Sequence, residues 1–122
     1  MSTRRILTNL TENGAQAVNA FHPEIVNEVV QNIESNKVLV VGMAYNPHCS
    51  GVCKALTAAG VEFKYLEYGS YFSMWNQRLA IKMFTGWPTF PQVFVNGALL
   101  GGEADTVKEL NSGSLFDGLK KK

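Results

Sequence analysis

One stretch constrains the chain more than any other: Gly86-Trp87-Pro88-Thr89-Phe90-Pro91-Gln92-Val93-Phe94-Val95-Asn96-Gly97-Ala98-Leu99-Leu100-Gly101-Gly102. Pro88 and Pro91 fix φ and remove backbone donors just before an apolar run, so they make a stiff entry to a strand. Asn96-Gly97 between two apolar runs is the strongest short-range signal for a type I′ hairpin. Gly101-Gly102 then lets the backbone turn sharply or approach another group closely. The stretch reads as loop, strand, tight turn, strand and glycine-flanked loop.

The rest of the chain must supply what packs on that hairpin. At 122 residues it is one domain, and 46% apolar with 17% charged residues is a globular composition. A net charge of +1 excludes a general binder of nucleic acid or membrane surface, and the one charge run, Lys120-Lys121-Lys122, is a solvated tail. No apolar run is long enough to span a membrane, and residues 1–20 lack the apolar core of a signal peptide. The expected location is therefore cytoplasmic.

Residues 1–21 are polar, interrupted at Asn13-Gly14, and read as a weakly ordered arm with a short helix near Ala15–Ala20; residues 22–122 form the domain. Pro23 and Glu24 open a helix with Ile25, Val26, Val29, Val30 and Ile33 on one face, ending near Ser35-Asn36. Lys37–Val41 is a continuous apolar run, the mark of a strand buried on both faces. Gly42–His48 reads as a loop and a helix runs from Cys49 to Gly60. Val61–Tyr65 alternates as a second strand. Tyr68–Ser73 connects it, with Ser73 as N-cap, to a helix carrying Trp75, Leu79 and Met83 that stops before Trp87-Pro88. After the hairpin come a helix over Glu103–Leu110 and a short one, capped by Ser114, ending at Leu119. A β-α-β unit followed by a hairpin and a closing helix is the arrangement of a thioredoxin-like α/β fold: a four-stranded mixed sheet flanked by helices, here with an extra N-terminal helix.

In a β-α-β unit the reactive crevice lies beyond the carboxyl end of the first strand, where its helix begins. Cys49 falls there, and unpaired N–H groups at a helix start favour a thiolate. Cys53, one turn further on, reads as a buried residue; two cysteines do not make a disulfide framework. By themselves, Arg78 and Lys82 read as a solvated helix face.

Beyond this, residues 37–119 resemble a glutaredoxin. Trp87-Pro88-Thr89-Phe90-Pro91-Gln92, then Leu100-Gly101-Gly102, then Val107-Lys108-Glu109-Leu110 match the W-P-T-F-P-Q…G-G…V-K-E-L pattern of the monothiol branch, and Asn111–Leu115 resembles its continuation. The resemblance implies that Pro91 is a cis-proline facing the active cysteine and that Phe90 offers backbone hydrogen bonds. It implies a glutathione groove walled by Thr89, Phe90 and Pro91 on one side and by Gly101, Gly102, Ala104 and Asp105 on the other. Arg78 and Lys82 match the family's basic positions on their helix, where Arg78, at the far end of the groove, would hold the glycine carboxylate, a charge-assisted pair that suits a guanidinium.

The active-site loop departs from the family patterns C-P-x-C and C-G-F-S. Here it is Asn46-Pro47-His48-Cys49-Ser50-Gly51-Val52-Cys53. Counting back from Gly60 puts Asn46 at the nucleophile position and Cys49 at the buried second cysteine. Counting forward from the first strand makes Cys49 the nucleophile. The lysine that glutaredoxins carry shortly before the cysteine is replaced by Val41 or Met43, which removes a thiolate-stabilising cation.

Three functions follow from the resemblance. The first is a glutathione-dependent thiol-disulfide oxidoreductase acting through Cys49 in redox homeostasis and electron transport, with glutathione and protein thiols or mixed disulfides as partners. The second is a [2Fe–2S] carrier that uses Cys49 and glutathione in a dimer, the chain otherwise being a monomer. The third is a redox-inactive module that binds a partner in the same groove. A zinc site from His48, Cys49 and Cys53 lacks a fourth ligand.

Overall fold

Val38–Gly42 forms the first strand, β1, and all five of its residues are buried in this computed structural model, which describes residues 5–120. Lys64–Glu67 (β2) runs parallel to it on one side and Gln92–Val95 (β3) antiparallel on the other; Ala98–Gly101 (β4) closes the hairpin with β3. The sheet order is β2-β1-β3-β4. In register, Val40 faces Tyr65 of β2 and Val93 of β3, so the middle strand carries hydrogen bonds along both edges.

Alternation along β1 builds two cores, one on each face of the sheet. Leu39 and Val41 pack with Val29, Ile81, Phe90 and Phe94, under α2 (Pro23–Ser35) and α4 (Trp75–Thr85). Val38 and Val40 pack with Val52, Leu56, Val93 and Phe116, under α3 (Pro47–Ala58) and α5 (Glu103–Ser112). This is the expected fold, a mixed four-stranded sheet between two pairs of helices. The arm carries a further helix, α1 (Glu12–Asn19), whose N-cap Thr11 accepts a hydrogen bond from Gly14 N and which buries none of its residues.

The hairpin follows its sequence signals. Asn96 and Gly97 have φ of 50° and 87°, as a type I′ turn requires at both central positions. Gly86 ends α4 in a left-handed conformation and the Phe90–Pro91 bond is cis.

At the C-terminal end the short helix expected to be capped by Ser114 is a single 3-10 turn over Asp117–Leu119, preceded by Phe116 and without a side-chain cap. Three further boundaries differ from the sequence reading, each because a local signal was stronger than the periodicity. Helix α3 begins at Pro47 and not Cys49, because Asn46 caps it and Pro47 fills the first helical position, which needs no N–H donor. The second strand begins at Lys64; Val61 pairs only as an isolated bridge with Lys120. The residue before α4 is Met74, at φ 57°, while Ser73 accepts from Ser70 N within the preceding loop.

Candidate functional site

The loop after β1, the start of α3, one side of α4, the corner before β3 and the start of α5 converge on a groove of about 670 Å³. Each wall has a local cause. The corner residues Trp87–Pro91 are held from within: buried Gln92 donates from Nε2 to Trp87 O at 3.0 Å, and Trp87 N donates to Thr85 Oγ1 at 3.1 Å. On the opposite wall, Gly101 adopts φ 138°, where the Asp105 carboxylate lies against its Cα and a side chain would overlap it. Asp105 accepts from Gly102 N at 3.1 Å, and buried Thr106 donates to Gly102 O at 2.9 Å, fixing the entry to α5.

The α4 side is cationic. Arg78 is only 5% exposed and donates from Nη1 to Tyr68 O at 2.9 Å and to Ser73 O at 2.6 Å, so it fastens the loop before α4. Its guanidinium carbon stands 5.4 Å from the Trp75 ring centroid, and Lys82 Nζ stands 5.7 Å from that of Phe90. Neither cation is paired with a carboxylate among the described residues. Burial pulls the Arg78 pKa below its usual value, although a guanidinium remains charged at any physiological pH.

The α5 side is anionic. Glu103 and Asp105 line the groove, and Glu103 Oε1 meets His48 Nδ1 at 2.9 Å across its mouth. Gly51 makes that pair possible, because a Cβ there would occupy the space of the Glu103 carboxylate. Across the floor the groove therefore runs from two cations to two carboxylates.

Asn46 lines the groove as well. Its Oδ1 accepts from His48 N at 2.9 Å and Cys49 N at 3.1 Å, and its Nδ2 donates to Tyr71 Oη at 3.3 Å. The N-terminal donors of α3 that could have steadied a thiolate are taken by this amide. Cys49 is 2% exposed and lies among the core residues on the α2/α4 face, off the groove lining. Burial pushes its thiol pKa up; the Met43 backbone N–H works against that, while Glu67 and Glu103 add to it. Cys53 is partly buried and raised for the same first reason, with the Cys49 and Glu67 charges adding to the effect.

Of the residues the resemblance singled out, Arg78, Lys82, Thr89, Phe90, Pro91, Gly102, Ala104 and Asp105 line the groove together, and Gly101 is buried behind it. Cys49 lies in the first turn of α3 but is buried, whereas Asn46, the other residue the sequence offered for the nucleophile position, caps that helix and lines the groove. His48, Tyr71, Trp75, Trp87 and Glu103 also line the groove. The Asn-Pro pair before an apolar helix was a legible cap signal, whereas nothing local in the sequence joins His48 to Glu103. Trp87 Nε1 and Gln92 Oε1 are buried without a hydrogen-bond partner among the described residues, both at the corner before β3. Those residues include no group of three side chains able to hold a metal.

Comparison with known proteins agrees with this architecture. The glutaredoxin family profile matches residues 38–100. A glutaredoxin-like protein of Dictyostelium discoideum is 65% identical over 123 residues, covering 100% of both chains. An uncharacterised monothiol glutaredoxin of Synechocystis is 31% identical over 105 residues, covering 82% of this chain and 95% of its own. Among solved structures, a buckwheat glutaredoxin in complex with glutathione superposes with a TM-score of 0.69 at 23% identity, covering 90% of this chain and 94% of that one. The chain belongs to the glutaredoxin family.

Proposed function

We propose that this protein binds glutathione, or a peptide with the same distribution of charge, in the groove between α4 and α5 without forming a covalent bond to it. The observation that carries the reading is the charge gradient across a preformed cleft: Arg78 and Lys82 at one end, Glu103 and Asp105 at the other. A tripeptide with a carboxylate at one end and an ammonium group at the other matches that order, and charge-assisted hydrogen bonds supply its orientation. A fold neighbour described as a glutaredoxin–glutathione complex supports the same ligand class.

The covalent reading fits less well. A thiol-disulfide exchange needs an exposed thiolate in line with the bound disulfide. Cys49 is buried, its pKa is raised, and the capping donors that would stabilise its thiolate are bonded to Asn46. The same facts oppose a [2Fe–2S] cluster: a cluster ligand must reach the groove as a thiolate, and neither cysteine lines it. Titration calorimetry with reduced glutathione tests the proposal. Saturable one-site binding with no mixed disulfide in the mass spectrum after incubation with glutathione disulfide is the expected result. A glutathione adduct on Cys49 would restore the oxidoreductase reading.

A further inference from the structure

The Asn46 side chain has a second end. Its Oδ1 is fixed by the N–H groups of His48 and Cys49, at 2.9 and 3.1 Å. The opposite orientation would set an NH2 group against two donors, so Nδ2 is the end turned to the Tyr71 hydroxyl. Tyr71 Oη accepts one Nδ2 hydrogen at 3.3 Å. The other Nδ2 hydrogen and the hydroxyl hydrogen of Tyr71 have no acceptor among the described residues. Both residues line the groove, so two donors 3.3 Å apart stand in the cleft, close enough to converge on one acceptor atom.

An anionic acceptor suits them best. Two backbone donors polarise the amide carbonyl and so strengthen the N–H donors at its other end, which carries the positive end of α3 on into the groove. Hydrogen bonds to a charged form stabilise that form, and a sulfur that accepts them is held as thiolate. The protein's own thiols do not take this place, because neither Cys49 nor Cys53 lines the groove. Glutathione brings a thiol on its middle residue, between the ends that match Arg78 and Lys82 on one side and Glu103 and Asp105 on the other. The charged groups of the lining are these two cations from α4, the two carboxylates from α5, and His48 of α3, which is paired with Glu103. Cations and carboxylates offset one another, which leaves the two donors to tip the thiol. Tyr71 and Trp75, 45% and 63% exposed, add aromatic faces to the same lining, a surface for a flat conjugated molecule.

We propose that the groove activates bound glutathione: Asn46 Nδ2 and Tyr71 Oη hold its sulfur as a thiolate, which adds to the β-carbon of an α,β-unsaturated carbonyl compound lying against Tyr71 and Trp75. The thiol proton passes to water. A C–S bond forms at the β-carbon, the π pair moves to the carbonyl oxygen, and the enolate takes a proton from water at the α-carbon. No oxidant, leaving group or protein thiol takes part. The inference rests on the reading of the groove as a glutathione site.

Glutathione and benzylideneacetone, a flat enone whose conjugated absorbance disappears on addition, test it with the full-length protein about two pH units below the ordinary thiol pKa of about 8.5. Bound glutathione should add at least about tenfold faster than free glutathione, since each unit by which its pKa falls gives tenfold more thiolate there. Calorimetry in buffers of different ionisation enthalpy should show that glutathione binding at about pH 8 releases protons. Tyr71→Phe leaves the Asn46 cap in place; it should cut kcat about tenfold, move the pH profile of kcat upward and leave glutathione affinity within about twofold. Asn46→Ala should lose the rate as well. Binding without proton release or acceleration overturns this proposal and leaves the groove reading standing, whereas absence of binding overturns both. Acceleration that Tyr71→Phe and Asn46→Ala both retain also overturns it, because the sulfur would then be activated by other groups.

Discussion

Asn46 Oδ1 accepts the backbone N–H of Cys49 at 3.1 Å, so a residue that lines the groove caps the helix whose first turn buries the thiol. One amide thus satisfies two helix donors, through His48 N and Cys49 N, and occupies the place where a reactive side chain would face the cleft. The cap is a structural asset at the cost of the chemistry the fold can support.

That relationship gives the first prediction. Asn46→Cys places a sulfur at the helix N-terminus in the groove, where unpaired N–H groups lower a thiol pKa. The variant should react with a chromogenic disulfide at pH 6 at least about tenfold faster than the wild type, and should acquire a glutathione adduct. Asn46→Ala should gain no reactivity and lose about 1 kcal/mol of stability by chemical denaturation, the usual worth of a lost cap. Equal thiol reactivity in Asn46→Cys and wild type would show that the groove does not activate a nucleophile at this position.

The buried thiols set the alkaline limit of the fold. Burial raises the pKa of Cys49 and Cys53 above their unfolded values, and raises Tyr65 and Tyr68 likewise, each tyrosine also bonded to a glutamate. A group raised in the folded state binds its proton more tightly there, so its contribution is complete below the unfolded pKa and is lost as pH rises through the folded one. Denaturation midpoints should therefore fall steadily above the ordinary thiol range, at about pH 8.5. Cys49→Ala should flatten the early part of that decline, and alkylation of native protein at pH 8 should lag that of unfolded protein. A flat profile to pH 10 would contradict the assigned burial.

Much of this was legible in the chain. Val38–Val41 announced a central strand by its unbroken apolar run, and Asn96-Gly97 announced the hairpin by its turn chemistry. The groove walls at Thr89–Pro91 and Gly101–Asp105 came from a motif resemblance, and the structure brings them together. What periodicity missed was the start of α3: it follows the apolar face, whereas the first turn is set by Asn46 and Pro47, which face away from the core. The pair between His48 and Glu103 joins residues 55 positions apart and depends on the absence of a side chain at Gly51, which only packing reveals. The burial of Arg78 was also hidden, because at helical spacing beside Lys82 a guanidinium reads as solvent-facing.

Gly51 offers a test of that hidden pair. A glycine inside a helix costs about 1 kcal/mol relative to alanine, yet here alanine would displace the Glu103 carboxylate, which is the movable end of a flexible side chain. The helix gain should therefore outweigh the clash. Gly51→Ala should keep or raise the melting temperature while shifting the His48 imidazole resonances and altering affinity for ligands in the groove. A large loss of stability would mean that Glu103 cannot move.

Arg78 and Lys82 should separate when each is replaced, although both line the same cleft. Arg78→Met removes the donors to Tyr68 O and Ser73 O and leaves those carbonyls to find other partners. Hydrogen bonds to a charged group are worth about 1.5–3 kcal/mol each, but relief from burying the cation returns part of that. A net loss of about 2 kcal/mol is expected, read as an earlier urea midpoint with the amide resonances of residues 69–74 broadened. Arg78→Lys should not restore it, since one ammonium cannot reproduce the planar fork at both carbonyls. Among the described residues Lys82 makes no hydrogen bond to the backbone of that kind, and its Nζ stands 5.7 Å from the Phe90 ring centroid. Lys82→Ala should leave stability within about 0.5 kcal/mol while weakening a carboxylate ligand several-fold, more so at low salt than at high. If Lys82→Ala destabilised the fold as much as Arg78→Met, the division between a cation that builds the groove and one that serves its ligand would fail.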